Sequence, residues 1–170
     1  MRFFGLIGQP LTHSFSEKYF TEKFAREGLA DCRYLLFPIS SISELDKIQQ
    51  QNPGLEGLNV TIPYKQQVLS YLDSRSGIPE GLNACNCIQI KNGKRTGFNT
   101  DLIAFKNSLI PLLRPFHNRA LILGNGGAAA AVRFALKDLG IDYAIVSRTL
   151  QNGAALTYDQ LGESIIRDRL

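Results

Sequence analysis

Gly57-Leu58-Asn59-Val60-Thr61-Ile62-Pro63-Tyr64-Lys65 joins an apolar run to a proline turn and then to a helical pattern. Gly57-Leu58-Asn59-Val60 has the composition of a short, half-buried strand. Pro63 fixes φ and lacks an N–H, which suits the first turn of a helix. Gln66-Gln67-Val68-Leu69-Ser70-Tyr71-Leu72 follows with apolar residues at helical spacing. The expected local structure is therefore strand, sharp turn, helix, with Lys65 in the helix's first turn. A helix N-terminus carries partial positive charge and disfavours a second cation. Lys65 is thus expected to be an amine able to shuttle a proton. A solvated surface lysine is the alternative reading.

Towards the N-terminus the same grammar repeats. Residues 3–8 read as a first strand, followed by the turn-rich loop Gln9-Pro10-Leu11-Thr12-His13-Ser14-Phe15-Ser16. Residues 17–26 form an amphipathic pattern whose apolar stripe is Tyr19, Phe20 and Phe24, with Gly28 as its C-terminal cap. Residues 33–39 read as a second strand. Ser43 is placed to cap a helix running through Ile48, and Asn52-Pro53-Gly54 ends it. This β-α-β-α-β-α order implies a largely parallel sheet covered by helices.

Towards the C-terminus the rhythm changes. Residues 84–90 and 94–98 flank Lys91-Asn92-Gly93, a hairpin turn signal, so two antiparallel strands are expected and the sheet becomes mixed. After Asn99-Thr100-Asp101 a helix is expected over 102–113, with Ile103, Phe105, Leu109 and Leu112 on its apolar side. Residues 120–123 and 143–146 read as strands of a β-α-β unit, its helix extending over 132–139 and stopped by Gly140. The turn after its first strand is Gly124-Asn125-Gly126-Gly127-Ala128. Gly124 and Gly126 permit a tight turn and close approach of a pyrophosphate, and Ala129 takes the close-packing position. The helix behind it directs N–H groups at phosphates. At the end of the second strand, where NAD binders carry an acid, stand Ser147-Arg148-Thr149. A guanidinium and two hydroxyls suit a 2′-phosphate, so NADP is the expected cofactor rather than NAD. A glycine turn with no ligand is the bland alternative. Residues 158–164 read as a short helix. The expected fold class is α/β: a mixed-sheet substrate domain over 1–101, then an incomplete Rossmann-type NADP-binding domain over 102–170.

Composition bounds the rest. The chain has 170 residues, 44% of them hydrophobic and 20% charged, enough to bury a core. No apolar run approaches the roughly 18 residues of a membrane span, and the first residues lack the length and cleavage site of a signal peptide. A net charge of +4 from scattered cations favours small anionic ligands over a nucleic-acid surface. Cys32, Cys85 and Cys87 include no CxxC, which suits reduced thiols in the cytoplasm, with no metal site.

Taken together, these segments resemble shikimate dehydrogenase along essentially the whole chain. Gly8-Gln9-Pro10-Leu11-Thr12-His13-Ser14-Phe15-Ser16 resembles the family's N-terminal substrate motif, and Asn59-Val60-Thr61-Ile62-Pro63-Tyr64-Lys65 its catalytic-lysine motif. Gly97-Phe98-Asn99-Thr100-Asp101 resembles its aspartate motif, while Gly124 to Ala128 and Ser147-Arg148-Thr149 resemble its NADP motifs. The resemblance implies that Lys65 and Asp101 are the catalytic pair. It implies that Ser14 and Ser16 bind the substrate carboxylate, and that Thr61, Asn86 and Asp101, with Lys65, hold ring hydroxyls. It implies reversible, NADP-dependent reduction of 3-dehydroshikimate to shikimate on the route to chorismate and aromatic amino acids, by a cytoplasmic monomer or homodimer. Read as residues alone, Asp101 could cap its helix, Ser14 and Ser16 could cap theirs, and His13 shapes its loop.

Two departures from the family stand out. Asn83-Ala84-Cys85-Asn86-Cys87 replaces the usual Gly-Ala-x-Asn-Thr, which changes the setting of Asn86. Family members also continue past the position of Leu170, so the chain is expected to be a fragment or to draw its remaining elements from elsewhere. Alone it is expected to turn over little, with its second nucleotide-domain strand left as an exposed edge. Quinate/shikimate dehydrogenase, and an idle module holding a polyhydroxy acid or nucleotide, are the competing readings.

Overall fold

The computed structural model describes residues 1–150 and 153–167. It divides into two compact units, Met1–Asn99 and Thr100–Leu170. The first is built on six strands in the order β2-β1-β3-β5-β6-β4. These are β1 (Arg2–Gly8), β2 (Cys32–Pro38), β3 (Leu55–Val60), β4 (Ser74–Gly77), β5 (Cys87–Lys91) and β6 (Lys94–Phe98). β1 pairs parallel with β2 and β3, β5 runs antiparallel to β3 and β6, and β4 is parallel to β6. The mixed sheet expected from the hairpin signal is present. At its tip Asn92 and Gly93 take φ of 53° and 77°, the two left-handed residues that a two-residue hairpin turn matching strand twist requires.

Helix α1 (Ser16–Arg26) covers one face of the sheet, where Leu6, Leu11 and Tyr34 are buried against Phe4, Phe20, Phe24 and Leu36. Phe20 and Phe24 do the packing expected of them. Tyr19 is mostly exposed and meets only the edge of Phe20. Helix α2 (Leu45–Gln51) covers the other face, over Ile7, Leu58, Val60, Val68, Cys85 and Ile88. Its approach is capped by Ser41 rather than Ser43: Ser41 and Glu44 form a reciprocal capping box around a 3-10 turn, Ile42–Glu44, that precedes the helix.

The helix expected after Pro63 does not form. Ile62-Pro63 is a cis peptide, turns follow, and only a 3-10 helix, Gln67–Tyr71, appears. The carbonyl of Lys65, which an α-helix would give to residue 69, accepts the N–H of Cys85 at 2.7 Å; Leu69 bonds instead to Gln66 at 3.2 Å. Val68 N–H still reaches Tyr64 O at 2.9 Å, but the tertiary bond takes the next acceptor of the i→i−4 ladder, so no α-helix runs on from Lys65 and no helix dipole acts on it. β4 carries no apolar residue except glycine and escaped sequence patterning, as an edge strand can.

In the second unit, α3 (Thr100–Leu109) runs into a 3-10 turn, Ile110–Leu112, at Pro111. Its buried side is Leu102 with Phe105, Leu109 and Leu113, whereas Ile103 and Leu112 are exposed. The face is set by contact with α4 (Ala129–Asp138), to which the Lys106–Asp138 ion pair also ties it. β7 (Arg119–Leu123), β8 (Asp142–Ser147) and β9 (Leu156–Thr157) form a parallel three-stranded sheet in sequence order. β9 pairs Val146 with Leu156 and Ser147 with Thr157, so β8 is not the bare edge expected of it. A 3-10 turn, Tyr158–Gln160, and α5 (Glu163–Ile166) replace the single short helix expected there.

Candidate functional site

Because β1 and β3 are parallel and β5 antiparallel between β3 and β6, the carboxyl ends of β1, β3 and β6 lie along one edge of the first unit's sheet. In open α/β sheets that edge is where ligand-binding loops gather. Hydrogen bonds knit these loops together. Thr61 N–H donates to Ile7 O at 3.0 Å, and Gln9 N–H to Ile62 O at 3.0 Å. Gly8 allows this approach: a Cβ there would lie 2.4 Å from Thr61 Cγ2 and 2.7 Å from Leu11 Cδ2.

Asn86 is buried and bridges this edge. Its carbonyl accepts Val60 N–H at 2.9 Å, and its own N–H donates to Phe98 O at 3.1 Å. Cys85 N–H on Lys65 O adds a third tie, so Thr61, Lys65 and Asn86 stand on loops with common anchors. The strand expected to include Asn86 was read from residue 84, but regular pairing begins only at Cys87. Asn99, which sequence reasoning passed over, secures the same loop: it is 2% exposed and its Nδ2 donates to Ala84 O at 2.8 Å. Burial pushes the thiols of Cys85 and Cys87 above their ordinary value, so both are neutral.

Ser14 and Ser16 flank the start of α1. Ser14 Oγ accepts Ser16 N–H at 3.2 Å, and Ser16 is the first helical residue, not the cap. Ser14 thus serves the helix terminus as its bland reading had it, while the Ser16 hydroxyl is not used in that way. Two further residues missed in the sequence join it here. Tyr34 is buried beneath α1, and its hydroxyl donates to Asn59 Oδ1 at 2.7 Å. The signal for Asn59 was its place on the strand that leads to Thr61; for Tyr34 there was none beyond an aromatic at a strand position.

Asp101 is the second residue of α3, half-buried, in the second unit. Since α3 already begins at Thr100, Asp101 lies inside the first turn and is not its N-cap; a carboxylate is favoured there by the helix dipole. The glycine turn lies between β7 and α4 in the same unit. Gly124 takes φ +105°, and its N–H donates to Val146 O at 2.8 Å. A Cβ on Gly126 would meet nothing within 4 Å, so that flank of the turn is open. Asn125, Gly127 and Ala128 complete the turn; Ser147 ends β8, and Arg148 and Thr149 follow it, both exposed. Among the described residues no group of three His, Cys, Asp or Glu could hold a metal, and no helix is long and apolar enough to cross a membrane.

A family model described as the shikimate dehydrogenase substrate binding domain matches residues 6–88. NADP(+)-dependent shikimate dehydrogenase of Clostridium beijerinckii is 37% identical over 177 residues, covering 96% of this chain and 64% of that protein. The corresponding enzyme of Haloarcula marismortui is 35% identical, over 92% of this chain and 58% of its own length. Among solved structures, Thermus thermophilus shikimate 5-dehydrogenase in complex with NADP(H) and shikimate is 30% identical, with a TM-score of 0.77, over 90% of this chain and 58% of that one. The chain therefore spans about three fifths of the length of these relatives.

Proposed function

We propose, on the premise that residues 6–88 carry a shikimate dehydrogenase substrate binding domain, that this chain acts in NADP-dependent interconversion of 3-dehydroshikimate and shikimate. That places it in the cytoplasm, on the route to chorismate and the aromatic amino acids, as an oxidoreductase acting on a secondary alcohol. The observation that carries the reading is the knitted sheet edge, where the tie from Cys85 N–H to Lys65 O sets the lysine's loop against that of Asn86. The relatives named for this activity match the same stretch.

Oxidation of a secondary alcohol needs a base for the hydroxyl proton. Lys65 takes that proton from the reacting hydroxyl, and Asp101 is proposed as the second catalytic residue, receiving a ring hydroxyl. Ser14 and Ser16 hold the substrate carboxylate, while Thr61 and Asn86 fix the remaining hydroxyls and so the face presented for reaction. The residues of the second unit fit NADP: the positive φ of Gly124, the open flank at Gly126 and the helix behind them suit a pyrophosphate. Arg148, with Ser147 and Thr149, suits the 2′-phosphate. When bound, NADP⁺ supplies the hydride acceptor.

The test follows NADPH absorbance with shikimate. Lys65→Ala is expected to lower kcat by about 10³-fold or more with little change in KM. Unaltered turnover would remove Lys65 from the chemistry.

A further inference from the structure

Tyr34 is 4% exposed, and its ring stacks on Phe20 with 4.5 Å between centroids and 11° between planes. A phenol buried this far must find partners for its hydroxyl. It has one proton, which it donates to Asn59 Oδ1 at 2.7 Å. The Ser16 side chain lies near the same phenol and favours its ionised form, as a hydroxyl does when its proton faces the oxygen. Burial pushes the phenol well above its ordinary value, so this donor is protonated throughout the physiological range.

The consequence falls on Asn59. An amide has an accepting end and a donating end. With Oδ1 held by Tyr34, both Nδ2 protons are turned away from it. Asn59 lies opposite Cys87 in the β3–β5 ladder, two residues before Thr61. On the face where α1 covers β1 and β2, it stands at the same sheet edge as the loops described above. Leu58 and Val60, on either side, are buried in the opposite core.

We propose that Tyr34 is a positioning residue for substrate recognition: its hydroxyl holds the Asn59 amide with Nδ2 directed at an oxygen of the bound polyhydroxy acid. This rests on the shikimate reading above. It makes a buried tyrosine that touches no substrate the support of a polar group on a separate strand.

The test titrates shikimate into the 170-residue chain and into Tyr34→Phe, Asn59→Ala and the double variant, with amide shifts as the readout. Tyr34→Phe keeps the ring stacked on Phe20 and removes only the hydroxyl. It is expected to raise the Kd for shikimate by about tenfold, the scale of one hydrogen bond, and to add little in the Asn59→Ala background. That non-additivity is a readout that a general loss of stability does not produce. An unchanged Kd in Tyr34→Phe, or a double variant whose penalty is the product of the single ones, overturns the inference alone. Absence of any shikimate-dependent shift in the unsubstituted chain overturns the substrate reading and this inference with it.

Discussion

At the scale of single residues, Lys65, Asp101 and the serine pair were singled out because their motifs resemble those of a known family. The surroundings of Lys65 did not follow, because the bond that removes its helix comes from Cys85, twenty residues away in sequence and invisible to local periodicity. Tyr64, next to it, shows how tightly the loop is held. It is 3% exposed and its hydroxyl donates to Ile39 O at 2.6 Å. Tyr64→Phe keeps the packing but orphans a buried carbonyl, and should lower unfolding free energy by about 1–2 kcal/mol in a denaturant titration. No change in the midpoint would show that water satisfies that carbonyl.

At the scale of elements, hairpin and strand identities were readable while helix details were not. Lys91-Asn92-Gly93 announced its turn because two successive left-handed residues demand that chemistry. The apolar side of α3 was read correctly at Phe105 and Leu109 but not at Ile103 and Leu112, because burial there is set by packing on α4, not by the helix's own pattern. The cap of α2 fell two residues earlier than expected, and it carries a pH dependence. Glu44 accepts from the Ser40 hydroxyl and from the amides of Ser40 and Ser41, and these bonds hold its carboxyl below the ordinary range. A depressed carboxylate contributes stability that is present above its unfolded value and lost as pH falls through its folded value. Glu44→Ala should therefore lower the melting temperature at neutral pH, and the gap to the unsubstituted chain should narrow as the solution is acidified below the carboxylate range. A gap that stayed constant across that range would remove the charge from the capping argument.

For the whole molecule, the β-α repetition and the one antiparallel hairpin sufficed to give a mixed sheet followed by a parallel β-α-β unit. The edge strands β4 and β9 were hidden, being short and supported by one neighbour each. The sheet order matters more than any single contact, since it places the ends of β1, β3 and β6 together and so assembles residues distant in sequence. Chemical-shift mapping with shikimate tests this placement most directly. Amide shifts are expected at residues 14–16, 59–65 and 84–87, with little change along the outer face formed by Asp46, Gln49 and Arg95. Shifts centred on that outer face, with the sheet-edge loops unmoved, would contradict it.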